Sequence, residues 1–143
     1  MKNNKIVKWS LAGLGVLFLA YVGSIVWFEA QLGMNQPQGS TSIVIATFND
    51  DNERHDRVVR LERIDGQNYI AANHWPRAWY KQALGNPNVE VKMPGNDAFA
   101  SYLAVPLEGA EEERIREIYS FGFEFRFRTG FPPRYFLRLD PRG

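Results

Sequence analysis

The sequence predicts a mainly β protein of the α+β class, in which one apolar helix crosses a membrane and precedes a small, partly open β-barrel. Three observations support this prediction. A charge-free apolar run fills most of residues 1–30, a short polar stretch follows it, and the remaining residues alternate between β-branched runs and turns. About six strands joined mostly by hairpins, with two short helices, are typical of a small barrel with helices packed on it.

The first element is the run WSLAGLGVLFLAYVGSIVWF, which predicts a single transmembrane helix at residues 9–28. It contains 20 residues without a charge, and a helix of that length spans about 30 Å, the thickness of the hydrocarbon core. Trp9 and Trp27 lie near its ends, where interfacial aromatic residues are enriched. A cleaved signal peptide is the alternative. We expect an uncleaved anchor because the run is long and Ala30 lies in a poor cleavage context.

The charges around this run predict its orientation. Three lysines precede it, at positions 2, 5 and 8, and the next basic residue is Arg54. The positive-inside rule then places residues 1–8 in the cytoplasm and the domain that follows the span outside it, attached to the cell membrane. Residues 29–41 contain the Gly-, Pro- and Ser-rich stretch expected of a linker. The barrel domain is expected at residues 42–143.

Composition excludes several classes of function. Three of the 17 basic residues and one of the 16 acidic residues precede position 34, which leaves 14 basic against 15 acidic side chains in the domain. A protein that neutralises nucleic-acid phosphates needs a basic surplus, so no nucleic acid is expected as a partner. The chain has no cysteine and only His55 and His74 as histidines. Disulfides and thiolate sites are therefore excluded, and we expect no metal centre.

The domain is predicted to contain six strands and two helices. Asp65-Gly66 is the strongest hairpin signal, Pro76 and Gly85 mark the start and end of a short helix, and an acidic first turn marks a second helix at 109–121. Residues 49–56 are charged and predict an exposed loop. In FGFEFRFR, residues 121–128, Phe at every second position favours a strand, but the segment directly follows a helix and its state stays open. The strands are expected at 42–48, 57–64, 67–72, 88–93, 98–107 and 134–140.

Several of these motifs, in this order, resemble the deazaflavin-dependent nitroreductases and quinone reductases, which are small split β-barrels related to the FMN-binding oxidoreductases. That family has a proline followed by Trp-Tyr, a short helix, and Asn-Pro-x-Val-x-Val leading into a strand. Asp65-Gly66 before YIAA and Arg-Thr-Gly at 128–130 are weaker matches. The resemblance extends over essentially all of 42–143, and the specific motif is matched by Pro76, Trp79, Tyr80, Leu84, Asn86, Pro87, Val89 and Val91.

The resemblance implies an oxidoreductase that binds a deazaflavin (coenzyme F-420) or FMN and passes hydride to a quinone or nitro-type acceptor. A membrane anchor suits such an apolar acceptor, so membrane lipid and a quinone-like molecule are the expected partners, and a homodimer stays open. No catalytic residue is assigned, because no Ser/His/Asp arrangement, paired carboxylates or Gly-rich phosphate loop is present. The cofactor would perform the chemistry, and the protein would position it.

Eight residues are candidates for binding the cofactor. Three lie at a strand-to-helix junction, where the free N–H groups of a helix start favour an anion, and the histidine among them adds a donor. Two aromatic residues of the helix are expected mainly in the core, with a ring edge lining a pocket. The arginine of the same helix either faces solvent with Lys81 or clamps a phosphate. The candidates are Arg54, Arg57, Asn73, His74, Trp75, Arg77, Trp79 and Tyr80.

The loop NDDNERHD supports an alternative function. It occupies the position at which members of the family that use the deazaflavin carry a Gly-Arg-Lys-Ser-Gly-like turn. Here Arg54 and Arg57 stand among four acids, which would repel a cofactor tail rich in phosphate. The alternative is a non-catalytic, membrane-anchored β-barrel that has lost the cofactor and serves as a binding or assembly module.

Overall fold

The structure is a computed structural model that describes residues 2–34, 41–75 and 77–143. Pro76, the residue expected to begin a helix, and residues 35–40 of the predicted linker lie outside the described residues. Residues 29–34, also predicted as linker, are helical. In chain order the elements are α1 (Lys2–Met34), β1 (Ser42–Phe48), β2 (Arg54–Ile64), β3 (Gln67–Ala72), α2 (Ala78–Gly85), β4 (Asn88–Lys92), β5 (Ala100–Pro106), α3 (Gly109–Ile118), α4 (Phe123–Arg128) and β6 (Tyr135–Pro141).

The chain divides into two compact units. The first consists of Met1–Asn35 and Gly122–Phe131, and the second of Gln36–Phe121 and Pro132–Gly143. The first is called the helical unit below, because it contains α1 and α4. The second is called the barrel unit, because it contains all six strands together with α2 and α3.

In the helical unit, α1 is the one described helix that is long and apolar enough to cross a membrane, judged by length and composition. It extends beyond residues 9–28 at both ends. Its partly covered apolar side chains recur every three to four residues, on one face of the helix, at Tyr21, Ile25, Phe28 and Leu32. Two of these contact α4: the Tyr21 ring lies 4.9 Å from that of Phe127, and the Phe28 ring lies 6.4 Å from that of Phe125.

In the barrel unit the six strands form a closed barrel in the order β1-β2-β3-β6-β5-β4. Each neighbouring pair is antiparallel, so the predicted six-stranded antiparallel barrel is confirmed. The barrel is closed and not partly open as predicted. Pairing between β1 and β4 completes the circle. A closed barrel leaves no strand edge exposed to pair with another chain.

The core fills the barrel interior and is sealed at one end by α2. Side chains alternate along each strand, and Ile45, Ile70, Val91 and Leu137 are among those fully buried. Trp79 and Ala83 of α2 join the same cluster. The Thr47 hydroxyl donates a hydrogen bond of 2.7 Å to Oε1 of Gln82, which satisfies a buried polar group where α2 meets β1.

The structure changes the bounds of two predicted segments, and it gives the state of a third that the sequence leaves open. The predicted loop at 49–56 is shorter, because β2 begins at Arg54 and pairs with the end of β1 through Phe48. Pairing gives these backbone groups hydrogen-bond partners, and the charged side chains point outward into solvent. The segment 121–128, whose state the sequence leaves open, forms α4 over Phe123–Arg128. The predicted second helix ends at Ile118.

Candidate functional site

The candidate site lies in the barrel unit, where α2 closes the end of the barrel. Here β3 ends and β6 begins, and the two strands pair through Ala72 and Tyr135. The junction that precedes α2 therefore lies beside the start of β6. The side chains that meet there are called the arginine–aromatic cluster: Trp75, Arg77, Tyr80, Arg134 and Tyr135.

Arg77 is at the centre of this cluster. Its Nε donates a hydrogen bond of 2.8 Å to the backbone carbonyl of His74, which fixes the plane of the guanidinium. The guanidinium lies over the rings of Trp75 and Tyr135, at 5.5 and 5.2 Å from their centroids. Its Nη2 atom is buried and has no hydrogen-bond partner among the described residues. A buried charged donor without a partner is costly, and an anion that accepted this bond would remove the cost.

Arg134 brings a second guanidinium to the same end of the barrel. Its Nε donates a hydrogen bond of 3.1 Å to Oδ1 of Asn73, and its plane lies over the rings of Phe121 and Phe136 at 5.0 and 5.3 Å. The positive charges of Arg77 and Arg134 thus flank the ends of β3 and β6. Two guanidinium groups held by aromatic rings suit a phosphate or carboxylate.

Tyr80 supplies a flat aromatic surface in this cluster. Its ring stacks on that of Tyr135, with centroids 5.1 Å apart and planes 12° from parallel. Burial raises the pKa of the Tyr80 hydroxyl above its usual value, so the phenol stays protonated at neutral pH. The adjacent Trp79 is 8% exposed and belongs to the core, as expected, while its ring meets that of Tyr80 edge-on at 6.1 Å.

The two candidate residues of β2 point to opposite sides of the sheet. Arg57 pairs with Ile45 and so shares the inner face of the barrel with that buried side chain. Arg54 is three positions away and lies on the outer face. It forms ion pairs with Asp56, at 2.8 Å, and with Glu90, and its guanidinium lies 4.2 Å from the centroid of the Phe99 ring. The charge of Arg54 is therefore already balanced by the protein.

A separate polar cleft lies beside the other end of α2. Its volume is about 410 Å³, and its lining includes Phe48, Asp50 and Asn52 from the β1–β2 connection, with Lys81 and Gln82 from α2. The volume is within the range of small-ligand pockets. Such pockets are normally apolar, however, and this one combines amides with a carboxylate. Lys81, proposed above as a partner of Arg77, belongs to this cleft.

The arginine–aromatic cluster fits a phosphate-bearing, planar cofactor better than the polar cleft does. It offers the buried Nη2 donor of Arg77, a second guanidinium, and stacked phenol rings. Of the eight predicted residues, the structure groups Asn73, His74, Trp75, Arg77, Trp79 and Tyr80 at this end of α2. Arg54 is held by its own acidic neighbours. The assignment of all eight to cofactor binding stays a prediction.

Sequence reasoning missed Arg134 and Tyr135. They are about 60 residues away from Asn73 and Trp75 in the chain, and only the pairing of β3 with β6 brings them together. Their local signal was a basic and an aromatic residue directly after Pro132-Pro133, at the start of a predicted strand. That signal identifies a strand end and does not identify a ligand.

Comparison with known proteins shows the fold. No family model and no curated protein matches the chain. A reductase described as F-420-H2-dependent is 18% identical over 70% of this chain and 94% of its own, with a TM-score of 0.51. A putative pyridoxamine 5'-phosphate oxidase from Listeria innocua is 18% identical over 83% and 94%, at 0.51. The heme storage protein HutZ from Vibrio cholerae is 15% identical over 74% and 84%, at 0.53.

These three structures share a split β-barrel with this chain, although their names describe different ligands. Identities of 15–18% show that the chain has this fold and do not assign it an activity. One fold can carry many unrelated functions, so function has to be argued from the site. In the barrel unit, the arginine–aromatic cluster is the site from which we argue the function.

Proposed function

We propose that this protein is a membrane-anchored oxidoreductase that binds a deazaflavin or FMN and reduces a quinone or nitro-type acceptor. The observation that supports it best is the buried Nη2 atom of Arg77, which has no hydrogen-bond partner within the described part of the chain. A phosphate would supply the missing acceptor and balance the charge. The likeness in fold to an F-420-H2-dependent reductase agrees with this proposal.

The residues of the cluster would divide the binding between them. Arg77 and Arg134 would hold the anionic part of the cofactor, with the backbone N–H groups at the start of α2. Tyr80 and Tyr135 would offer their stacked rings as an apolar wall. When bound, the cofactor supplies a hydride that the twenty amino acids cannot. The chain itself would bind, orient and shield the reacting ring, and no described side chain needs to act as a nucleophile.

The membrane anchor indicates which class of electron acceptor the protein would reduce. A helix of the length and composition of α1 would keep the domain beside the bilayer, where quinones and other apolar acceptors are concentrated. A soluble acceptor would gain nothing from such attachment. We therefore propose a lipid-soluble acceptor.

A second function is supported by Arg54. Its ion pairs with Asp56 and Glu90 remove a cation from the region that would meet the phosphate-rich tail of a deazaflavin. With Asp50 in the nearby polar cleft, this favours a barrel that has lost the cofactor and binds another ligand or a membrane protein. This alternative is a binding or assembly module without catalysis.

The two functions are separated by one purification and one titration. The full-length protein is purified in detergent from its native host, and its absorbance between 350 and 500 nm is recorded. A bound flavin or deazaflavin gives a visible band and is identified by mass after denaturation. The protein without cofactor is then titrated with FMN and with coenzyme F-420 by fluorescence quenching. An empty spectrum together with no binding at high micromolar concentration would exclude the oxidoreductase and leave the binding module.

A further inference from the structure

We propose that α4 and the turn after it form a second, aromatic membrane contact, which lies beside the last two turns of the apolar run of α1, between the headgroup boundary and the hydrocarbon next to it. This inference rests on the membrane anchor proposed for α1 above and on no other part of the proposed function. The side chains concerned are called the phenylalanine cluster: Phe123, Phe127 and Phe131. All of them belong to the helical unit.

The phenylalanine cluster is exposed and contiguous. Phe123, Phe127 and Phe131 are 73%, 48% and 41% exposed. Their ring centroids lie 5.8 to 6.5 Å apart, so the three rings form one apolar surface. Contiguous exposed apolar patches often mark a site of interaction with a membrane or with another protein.

The backbone adopts an uncommon conformation to build this surface. After α4 the chain reverses in a Schellman motif, in which the N–H of Gly130 bonds to the carbonyl of Phe127 and that of Phe131 to the carbonyl of Arg126. Gly130 has a φ of +72°, and Phe131 has a φ of +51°. A left-handed conformation is rare for a bulky residue and strained. Here it turns the Phe131 ring back against those of Phe123 and Phe127.

Contacts with α1 set the depth of the cluster. The Tyr21 hydroxyl donates a hydrogen bond of 2.9 Å to the carbonyl of Phe127, and Phe28 meets Phe125. These positions are the last two turns of the charge-free run, a length of about 10 Å that ends just before Glu29. If α1 crosses the bilayer, the contact at Phe28 lies where hydrocarbon gives way to headgroups, the layer that aromatic rings prefer. The contact at Tyr21 lies about 10 Å deeper, in the hydrocarbon.

The charges of α4 are arranged in a way that suits a position reaching into the bilayer from the headgroup boundary. Glu124 and Arg128 form an ion pair of 2.6 Å, so the acid does not face lipid phosphates alone. The Arg126 guanidinium lies 5.3 Å from the centroid of the Phe131 ring. An arginine can keep its stem along apolar surface and its charge among headgroups. A helix of six residues is too short to be stable in water by itself, and α1 together with the membrane would supply its support.

The experiment measures depth in the bilayer by spin labelling. The natural chain has no cysteine, so single cysteines can be introduced without removing others: Phe123→Cys for the cluster, Leu17→Cys for the middle of α1, and Glu113→Cys for an exposed site on α3. Each full-length variant is labelled with a nitroxide and reconstituted at high lipid excess in phosphatidylcholine–phosphatidylglycerol vesicles. The collision rates with oxygen and with a water-soluble nickel chelate are then compared.

We expect the ratio of oxygen to nickel collisions to be several-fold higher at positions 17 and 123 than at position 113. A high ratio at 17 with a ratio at 123 equal to that at 113 would refute the membrane contact and leave the anchor intact. A low ratio at 17 would refute the anchor, and the membrane contact with it. Spin–spin broadening at 123 that disappears on dilution with unlabelled protein would show that a second copy covers the cluster, and would also overturn the proposal.

Discussion

Replacing Arg77 by Ala should weaken binding of FMN or deazaflavin without unfolding the protein. The guanidinium has one hydrogen bond within the described chain, from Nε to the carbonyl of His74, and one buried nitrogen, Nη2, that has none. In the complex that nitrogen would donate to the phosphate. The substitution would remove this hydrogen bond together with the charge.

The magnitude of the effect follows from the single charge-assisted hydrogen bond that the substitution removes. A hydrogen bond to a charged group contributes about 1.5–3 kcal/mol, and each 1.4 kcal/mol is a factor of ten in affinity, so the Kd should rise about 10- to 150-fold. The stability of the free protein should change by less than about 1 kcal/mol, because the loss of the bond to His74 and of the ring interactions is offset by removal of a buried, unsatisfied donor.

The assay is a fluorescence titration of the full-length protein in detergent with each cofactor, accompanied by a thermal melt. Lys81→Ala is the matched control, since it removes one positive charge from the same helix but lies in the polar cleft. Its Kd should remain close to that of the natural protein. Arg77→Lys should weaken binding less than Arg77→Ala, because an ammonium keeps the charge and can donate to the phosphate but cannot reproduce the planar contact with Trp75 and Tyr135.

Equal weakening by Arg77→Ala and Lys81→Ala would mean that binding depends only on overall charge, and the arginine–aromatic cluster would lose its role. Weakening by Lys81→Ala alone would move the site to the polar cleft. An unchanged Kd in Arg77→Ala, with a natural protein that binds, would refute the reasoning about the Nη2 atom.

Four further predictions concern stability and the membrane. Trp79→Ala should reduce the free energy of unfolding by about 3–5 kcal/mol in a denaturant or thermal melt, because Trp79 is buried in the barrel core; a change below about 1 kcal/mol would contradict that position. The Glu111 carboxylate accepts hydrogen bonds from Arg138 and Tyr69, and the Arg138 bond in particular lowers its pKa below the usual 4.5. The ionised Glu111 carboxylate should therefore stabilise the fold above about pH 4.5, and this contribution should be lost as the pH falls through the lower pKa of the folded state. Glu111→Gln should be less stable than the natural protein at pH 7 and should approach its stability in acid. A difference in stability that does not depend on pH would contradict this. The full-length protein should stay in the membrane fraction after a carbonate wash, and its release, or a mature N-terminus after Ala30, would exclude the anchor. A reporter active only outside the cytoplasm should be active when fused after Gly143, and activity of a cytoplasmic reporter alone would reverse the orientation.

The barrel was predictable from sequence because its signals are local. Asp65-Gly66 marks a hairpin, and the alternation of residues such as Val89 and Val91 marks a half-buried strand; both are confirmed in the structure. The start of β2 was missed, since charged residues at 54–56 suggest a loop. The strand extends because Phe48 and Arg54 pair across the turn, and that pairing depends on the backbone and not on the side chains.

The segment 121–128 could not be assigned from sequence because its phenylalanines fit both the two-residue period of a strand and the four-residue spacing of a helix. Phe at every second position predicts a strand, yet the structure is a helix that places Phe123 and Phe127 on one side and Phe125 against Phe28. The contact that supports the helix comes from α1, almost a hundred residues earlier in the chain. A contact between residues so far apart in the chain cannot be read from the local sequence. For the same reason Arg134 and Tyr135 were not predicted as members of the candidate site.

The orientation of the anchor determines how tightly a cofactor must be held. If the domain lies outside the cytoplasm, no pool of reduced deazaflavin is expected there, and a bound cofactor persists only if it dissociates slowly. Nanomolar affinity corresponds to about −12 kcal/mol, whereas one charge-assisted hydrogen bond at Arg77 contributes about 1.5–3 kcal/mol. The stacked rings of Tyr80 and Tyr135 and the second guanidinium of Arg134 would have to supply most of the remainder. An external domain with only micromolar affinity would therefore favour the binding module, and a cytoplasmic domain with the same affinity would be compatible with the oxidoreductase.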